Sequence, residues 1–136
     1  MNRVSSIVLT LLFAFALALA LRTFCFTPYV VDGSSMNPTL RGGDQILILQ
    51  SRLLPMAVKK NDIVVINGNR IPRQEEAMDF FLVKRVHEEA VENGYFVTGD
   101  NAVRSFDSRR FGPVPSDSLL GKALFVYFPL NRIKLL

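Results

Sequence analysis

Three short stretches carry side chains whose types and spacing suit chemistry. Residues Asp32 to Asp44, DGSSMNPTLRGGD, set two serines among glycines and a proline. As local structure Gly33-Ser34-Ser35 is a turn, and a serine hydroxyl in it is a poor nucleophile until a base takes its proton. Residues Phe81 to His87, FLVKRVH, place a lysine inside a strand-like run. With a period of two, Leu82, Lys84 and Val86 share one face, and Val83, Arg85 and His87 share the other. Lys84 then lies between two aliphatics while Arg85 is free to point to water. Such a lysine is either a stem snorkelling at a sheet edge or a desolvated amine whose lowered pKa lets it accept a proton. Residues Gly99 to Pro115, GDNAVRSFDSRRFGPVP, gather turn formers and charge. Asp107 and Arg109 in that stretch can pair, which alone would be a structural clasp.

The elements that must position these groups fall into two parts. Val4 to Leu21, VSSIVLTLLFAFALALAL, is 18 residues without a charge, bracketed by Arg3 and Arg22. That is long enough to span a hydrocarbon core with some tilt. The small residues of ALALA also suit a cleaved secretory signal, but the stretch is long and lacks a polar cleavage region. An uncleaved anchor covering residues 1–26 is therefore expected, with one soluble domain over 27–136. Beyond the anchor no long 3.6-residue period appears. Short apolar runs separated by Gly, Pro, Asn and Asp predict strands at Tyr29–Asp32, Gln45–Gln50, Asp62–Asn67, Phe81–Glu88, Tyr95–Thr98 and Gly121–Phe128. A polar loop with room for one helical turn is expected between Gly68 and Asp79. The expected fold is mainly β: a small antiparallel β-domain on one N-terminal transmembrane helix.

Composition narrows the chemistry. The 136 residues hold one Cys, Cys25, and one His, His87. Neither an internal disulfide nor a multi-His or Cys-cluster metal site can be built, and no metal or cofactor is expected. The net charge of +4 suits an anionic partner. The Lys and Arg residues are scattered and no nucleic-acid motif is present, so the expected partner surface is a lipid bilayer, not nucleic acid. Phe80, Phe81, Phe125, Tyr127 and Phe128 exceed what so small a core needs, which predicts an apolar patch resting at the bilayer interface.

Taken in order, the three stretches resemble the boxes of type I signal peptidases, the bacterial-type Ser/Lys family. Ser35–Leu40, Ser-Met-Asn-Pro-Thr-Leu, is similar to the nucleophile box and Gly43-Asp44 to the short box after it. Lys84-Arg85-Val86 is similar to the lysine box, and GDN…S.DSR..G.VP to the last box. Phe24, Phe26, Pro28 and Val31 sit where the family's connector between membrane and serine carries similar residues. The resemblance implies Ser35 as nucleophile, Lys84 as its neutral base, and Ser105 as the hydroxyl that orients the lysine. It implies structural support from Asp107 and Arg109, and a place for Met36 in the floor of the substrate pocket. For the oxyanion it implies the Ser35 N–H; some members carry a serine where this chain has Gly33, so a second donor here must be backbone or water. Ser34 would point away from the Ser35 side chain, and His87 reads as a surface histidine.

The same resemblance implies membrane-bound removal of N-terminal signal peptides from exported preproteins, with cleavage after small residues of the Ala-x-Ala type. It implies a single-pass protein of the cell membrane with its catalytic domain on the extracytoplasmic side. An extended substrate would add as a strand beside Asp32 and Phe81–Glu88. Two departures bear on substrate breadth. HEEAVENG replaces the family's usual Gly-x-Pro-Gly-Asp turn after the lysine box, and the larger β-insertion before the last box is absent. A specialised maturation peptidase of the same family is therefore the nearest alternative, and mitochondrial inner-membrane peptidases share the outline. A non-catalytic membrane adaptor would be marked by loss of Ser35, Lys84 or Ser105, none of which is lost. Self-cleaving repressors use the same dyad but have a DNA-binding segment and no anchor. Eukaryotic-type signal peptidases have His at the base position, which Lys84 excludes.

Overall fold

The computed structural model describes residues 2–52, 58–71, 81–90 and 94–136. Helix α1 spans Arg3–Phe24, and its 22 residues cover about 33 Å at 1.5 Å per residue. None of its residues is buried. The hydroxyls of Thr10 and Thr23 donate to the carbonyls of Ser6 and Leu19 at 2.9 and 2.8 Å, so the helix satisfies them internally. It is one helix long and apolar enough to cross a membrane. The sheet begins two residues after it.

Among the described residues eight strands follow: β1 (Phe26–Val30), β2 (Gln45–Gln50), β3 (Ile63–Asn67), β4 (Phe81–Ala90), β5 (Gly94–Thr98), β6 (Val114–Pro115), β7 (Leu119–Phe128) and β8 (Lys134–Leu135). A four-residue helix, α2 (Ser108–Phe111), precedes β6. The sheet order is β1-β2-β7-β3-β4-β5-β6, with β8 on β7, and every pairing is antiparallel. This is the expected mainly β class, curled into a half-barrel. β3 reads IVVIN because both faces of the central strand are covered, so its apolar run is continuous where edge strands alternate. Ile63 and Val65 join Met36, Leu40, Ile46 and Val83 on one face. Val64 and Ile66 join Val86, Val97, Phe111 and Val114 on the other.

Several expectations shift. β1 starts at Phe26, not Tyr29, because Phe26 is already in register with Leu49 of β2. β7 starts two residues before Gly121, and β6 and β8 are too short for any period to announce them. By contrast the helical turn expected in the polar loop is present, as a 3-10 turn at Gly68–Arg70, while residues 72–80, including Phe80, lie outside the described residues. Arg85 does not simply point to water, since its face of β4 is also covered. The described aromatics do not share one end of the sheet. Phe81 opens β4 and Phe128 closes β7, at opposite ends of the sheet, and Val126 is the buried residue between half-buried Phe125 and Tyr127.

The segment after β7 is tied to the Ser35-bearing loop. Asp44 is 2% exposed; it accepts from Arg132 Nε and Nη2, both at 2.8 Å, and from the Arg41 N–H at 2.9 Å. Its backbone closes the loop on Val31, with Val31 N–H to Asp44 O at 2.8 Å and Gly43 N–H to Val31 O at 2.9 Å. Lys134 donates to the Thr39 carbonyl, and Leu136 packs against the Met36 cluster. The Arg132 hydrogen bond is the main reason the Asp44 carboxyl is held below its ordinary 3.8. Its contribution is therefore full above that value and fades as pH falls through the lower folded value. Asp44→Asn is expected to lower Tm by several degrees at pH 7, and the gap to wild type should close below about pH 4. Thermal melts across pH 2.5–8 check this; a constant gap would show that the pair is not the source.

Candidate active site

Lys84 lies mid-way along β4, in register with Val64, with Leu82 and Val86 on the same face. It is 2% exposed, and its Nζ donates to Ser105 Oγ at 3.2 Å. Burial lowers its pKa from 10.5 to about 8; the Asp107 carboxylate pulls it partly back and Arg109 opposes that pull. At pH 7 about one such amine in ten is neutral, against one in a few thousand for a solvated lysine. The snorkelling alternative is thereby excluded: the amine is inside.

Asp107 is fully buried and caps α2. Its Oδ1 accepts from Arg109 Nε at 2.8 Å, and its Oδ2 accepts from Arg109 Nη2 at 2.7 Å and from the Gly99 N–H at 2.9 Å. The Ser105 hydroxyl also donates to it. Burial opposes its charge, but these four donors outweigh burial and hold the carboxyl far below its ordinary value. Ser105 thus accepts from the amine and donates to the carboxylate, so its lone pair is aimed at Lys84.

Ser35 is half-buried in the turn after β1. The N–H of Asn101 donates to its carbonyl at 2.8 Å, and Asn101 Nδ2 donates to the Ser34 carbonyl at 3.2 Å. A Cβ placed on Gly99 would overlap both the Ser35 carbonyl and the Ser105 hydroxyl. Ser35 and Ser105 therefore flank one bare glycine backbone, which brings the Ser35 turn against the Lys84–Ser105–Asp107 cluster. Met36 is 1% exposed and packs with Val31, Leu40, Ile46 and Val83 under the turn. Gly33 has φ +78°, with open space where a side chain would stand. Ser34 is engaged through its carbonyl, and His87 is exposed beside Phe96, away from this cluster. No group of His, Cys, Asp and Glu among the described residues is placed to hold a metal ion.

Three supporting contacts escape a reading of the sequence alone. Arg85 makes a bidentate pair with Asp100 at 2.8 and 2.7 Å and donates to the Asn61 carbonyl at 2.8 Å. Thr39, in the Ser35 loop, also donates to Asp100. The third is the close approach at Gly99. The alternation of β4 was the available signal for Arg85, because it sends consecutive residues to opposite faces and both faces need a partner.

The arrangement defines a class: a small β-scaffold that sets a buried lysine amine and a serine turn side by side, behind an apolar N-terminal helix. A family model described as signal peptidase, peptidase S26, matches residues 4–88 and 87–128. The chain belongs to that family and is a serine endopeptidase. Among its relatives are a signal peptidase I of Bacillus licheniformis, 29% identical over 91% of this chain and 88% of that protein. Signal peptidase I T of Bacillus subtilis is 29% identical over 89% and 83%. A signal peptidase I of Bacillus amyloliquefaciens is 30% identical over 91% and 85%.

Gly99 generates a prediction. Gly99→Ala forces a methyl to 2.5 Å from the Ser35 carbonyl and closer still to the Ser105 hydroxyl, so at least one must move by about 1 Å. Displacements of this order cost about 10²-fold in turnover when they fall on reacting groups. Peptide cleavage by Gly99→Ala should drop by about that factor while far-ultraviolet circular dichroism stays native. Unchanged kcat would show that the two serines need not be so closely spaced.

Proposed function

We propose that the protein is a membrane-anchored signal peptidase that removes N-terminal signal peptides from exported proteins with a Ser35/Lys84 dyad. The observation that carries the reading is the buried amine of Lys84, depressed to about 8 and fixed by Ser105 beside the Ser35 turn. The substrate lies extended against the outer edge of β4 from Phe81 to Lys84, which has no strand partner there among the described residues because β5 pairs only from Arg85 onward. Neutral Lys84 takes the Ser35 proton as Oγ attacks the scissile carbonyl. The Ser35 N–H stabilises the oxyanion, and the Gly33 backbone leaves room beside it for a second donor. The Lys84 ammonium then protonates the departing amine. Water, deprotonated by the same lysine, hydrolyses the ester.

Met36, closing the floor under the turn, leaves shallow room that favours small residues such as Ala before the bond. Asp107 and Arg109 act through Ser105 as support. Helix α1 anchors the protein once in the cell membrane, with the β-domain on the extracytoplasmic side where exported chains emerge. Its length and full exposure favour that reading, since so much apolar surface requires an apolar medium.

Ser35→Ala and Lys84→Ala are expected to lose at least about three orders of magnitude in cleavage of a membrane-embedded preprotein, with His87→Ala nearly silent. A dead His87→Ala beside an active Lys84→Ala would overturn the dyad. Because burial disfavours the ammonium, kcat/KM should rise with pH through a limb near 8. Leu82→Asn rehydrates the amine and should move that limb upward; a limb that stays put would remove Leu82 from the tuning of the base. N-terminal sequencing of membrane fractions tests the anchor, which a mature chain starting near Arg22 would exclude.

A further inference from the structure

A cavity of about 730 Å³ opens on the same face of the sheet as Met36. Five consecutive strands of the half-barrel line it. Its floor is Ile48 and Val65, which belong to the Met36 cluster, and its walls are Tyr29 and Phe81. The Tyr29 hydroxyl donates to the Phe81 carbonyl at 3.2 Å and the two rings meet edge to face. Beyond that pair the lining becomes polar: Thr23 at the end of α1, Gln50, Arg52, Asn67, Arg70 and Asp117. The cavity is thus a trough whose apolar end adjoins the Ser35 loop and whose polar end adjoins the membrane helix.

The direction of a substrate through this trough follows from its chemistry. This step rests on the function proposed above. A signal peptide's apolar segment lies in the same bilayer as α1, so the residues before the scissile bond must run from Ser35 toward the end of α1. β1 covers that distance in five residues, about 17 Å. A substrate strand beside it brings the residues about four to seven positions before the bond into the polar end.

Among the described residues the charge there is unbalanced. Among the described residues Arg52 has no carboxylate at ion-pair distance. Arg70 faces one, Asp117, at 3.8 Å, and donates to its carbonyl at 2.9 Å. Among the described lining residues two guanidinium groups thus stand against one carboxylate, which only Arg70 reaches, in a basin with amides and hydroxyls to complete a hydrogen-bond shell. We infer that this basin is a charge-selective subsite that takes an acidic side chain from the segment between a substrate's apolar stretch and its cleavage point. Both arginines are exposed, so the selectivity is modest and sensitive to salt.

The test uses the full chain in neutral detergent micelles and peptides that differ at one residue, Ala, Glu or Lys, at each of the four to seven positions before the bond. At low salt the Glu peptide should exceed the Lys peptide in kcat/KM by about five- to tenfold at one or two of these positions, and the ratio should approach one in about 1 M salt. Arg52→Glu and Arg70→Glu should each shrink or invert the ratio with little change for the Ala peptide. Asp117→Asn should widen it. Equal Glu and Lys rates at every position, with the Ala peptide cleaved normally, overturn the subsite alone. If the Ala peptide is not cleaved, or Ser35→Ala cleaves it, the proposed function falls and takes the subsite with it. If Arg52→Glu changes turnover only when anionic phospholipid is added, and leaves the Glu/Lys ratio intact, the basin reads lipid headgroups and the inference is overturned.

Discussion

Dehydration of one ammonium group governs the rest of this structure. Lys84 sits at the centre of β4, where Leu82, Val86 and Val64 exclude water and the charged form loses most of its hydration. A buried carboxylate close by would normally undo this by attracting the proton back. Asp107 is such a carboxylate, but its charge is shared among Arg109, the Gly99 N–H and the Ser105 hydroxyl. Arg109 therefore has two electrostatic effects: it neutralises Asp107 and directly opposes the ammonium. The pKa of about 8 is the balance of burial against a deliberately blunted attraction.

The second constraint is that the serine lies on a loop and the amine on a strand. Consecutive residues of β4 solve the problem from opposite faces. Lys84 reaches Ser105, while Arg85 reaches Asp100, and both targets belong to the one connection that leaves β5 beside the middle of β4. Asp100 also takes the Thr39 hydroxyl, and Asn101 holds the carbonyls of Ser34 and Ser35. The connection thus joins the turn to both faces of the strand. Gly99 lies at the crossing, and the crowding around it explains why no side chain is carried there.

The sequence made the architecture legible where periodicity was strong. The run in Gln45–Gln50 and the alternation through Phe81–His87 set the strands and put Lys84 on an apolar face without reference to any fold. Short strands such as Val114–Pro115 have no period to read. The pairing of Asp107 with Arg109 was visible because the two are only two positions apart. The Arg85–Asp100 and Asp44–Arg132 pairs were not, because charges 15 and 88 residues apart are joined by topology alone. The aromatic surplus left placement open for a related reason. Composition counts aromatic rings but does not say which end of a sheet each occupies, and Phe81 and Phe128 lie at opposite ends.

The Arg132 clasp has a temporal consequence. The loop from Val31 to Asp44 emerges early from the ribosome, but the guanidinium that fills its base is 88 residues downstream, and Lys134 and Leu136 follow it. Contacts of such large sequence separation form late and carry a high closure entropy. During synthesis the chain therefore exposes its serine turn well before that turn has its final shape. Until Arg132 docks, the carboxylate of Asp44 has no guanidinium to close the base of the loop, so the Ser35 turn takes its final shape only once the far side of the sheet is in place.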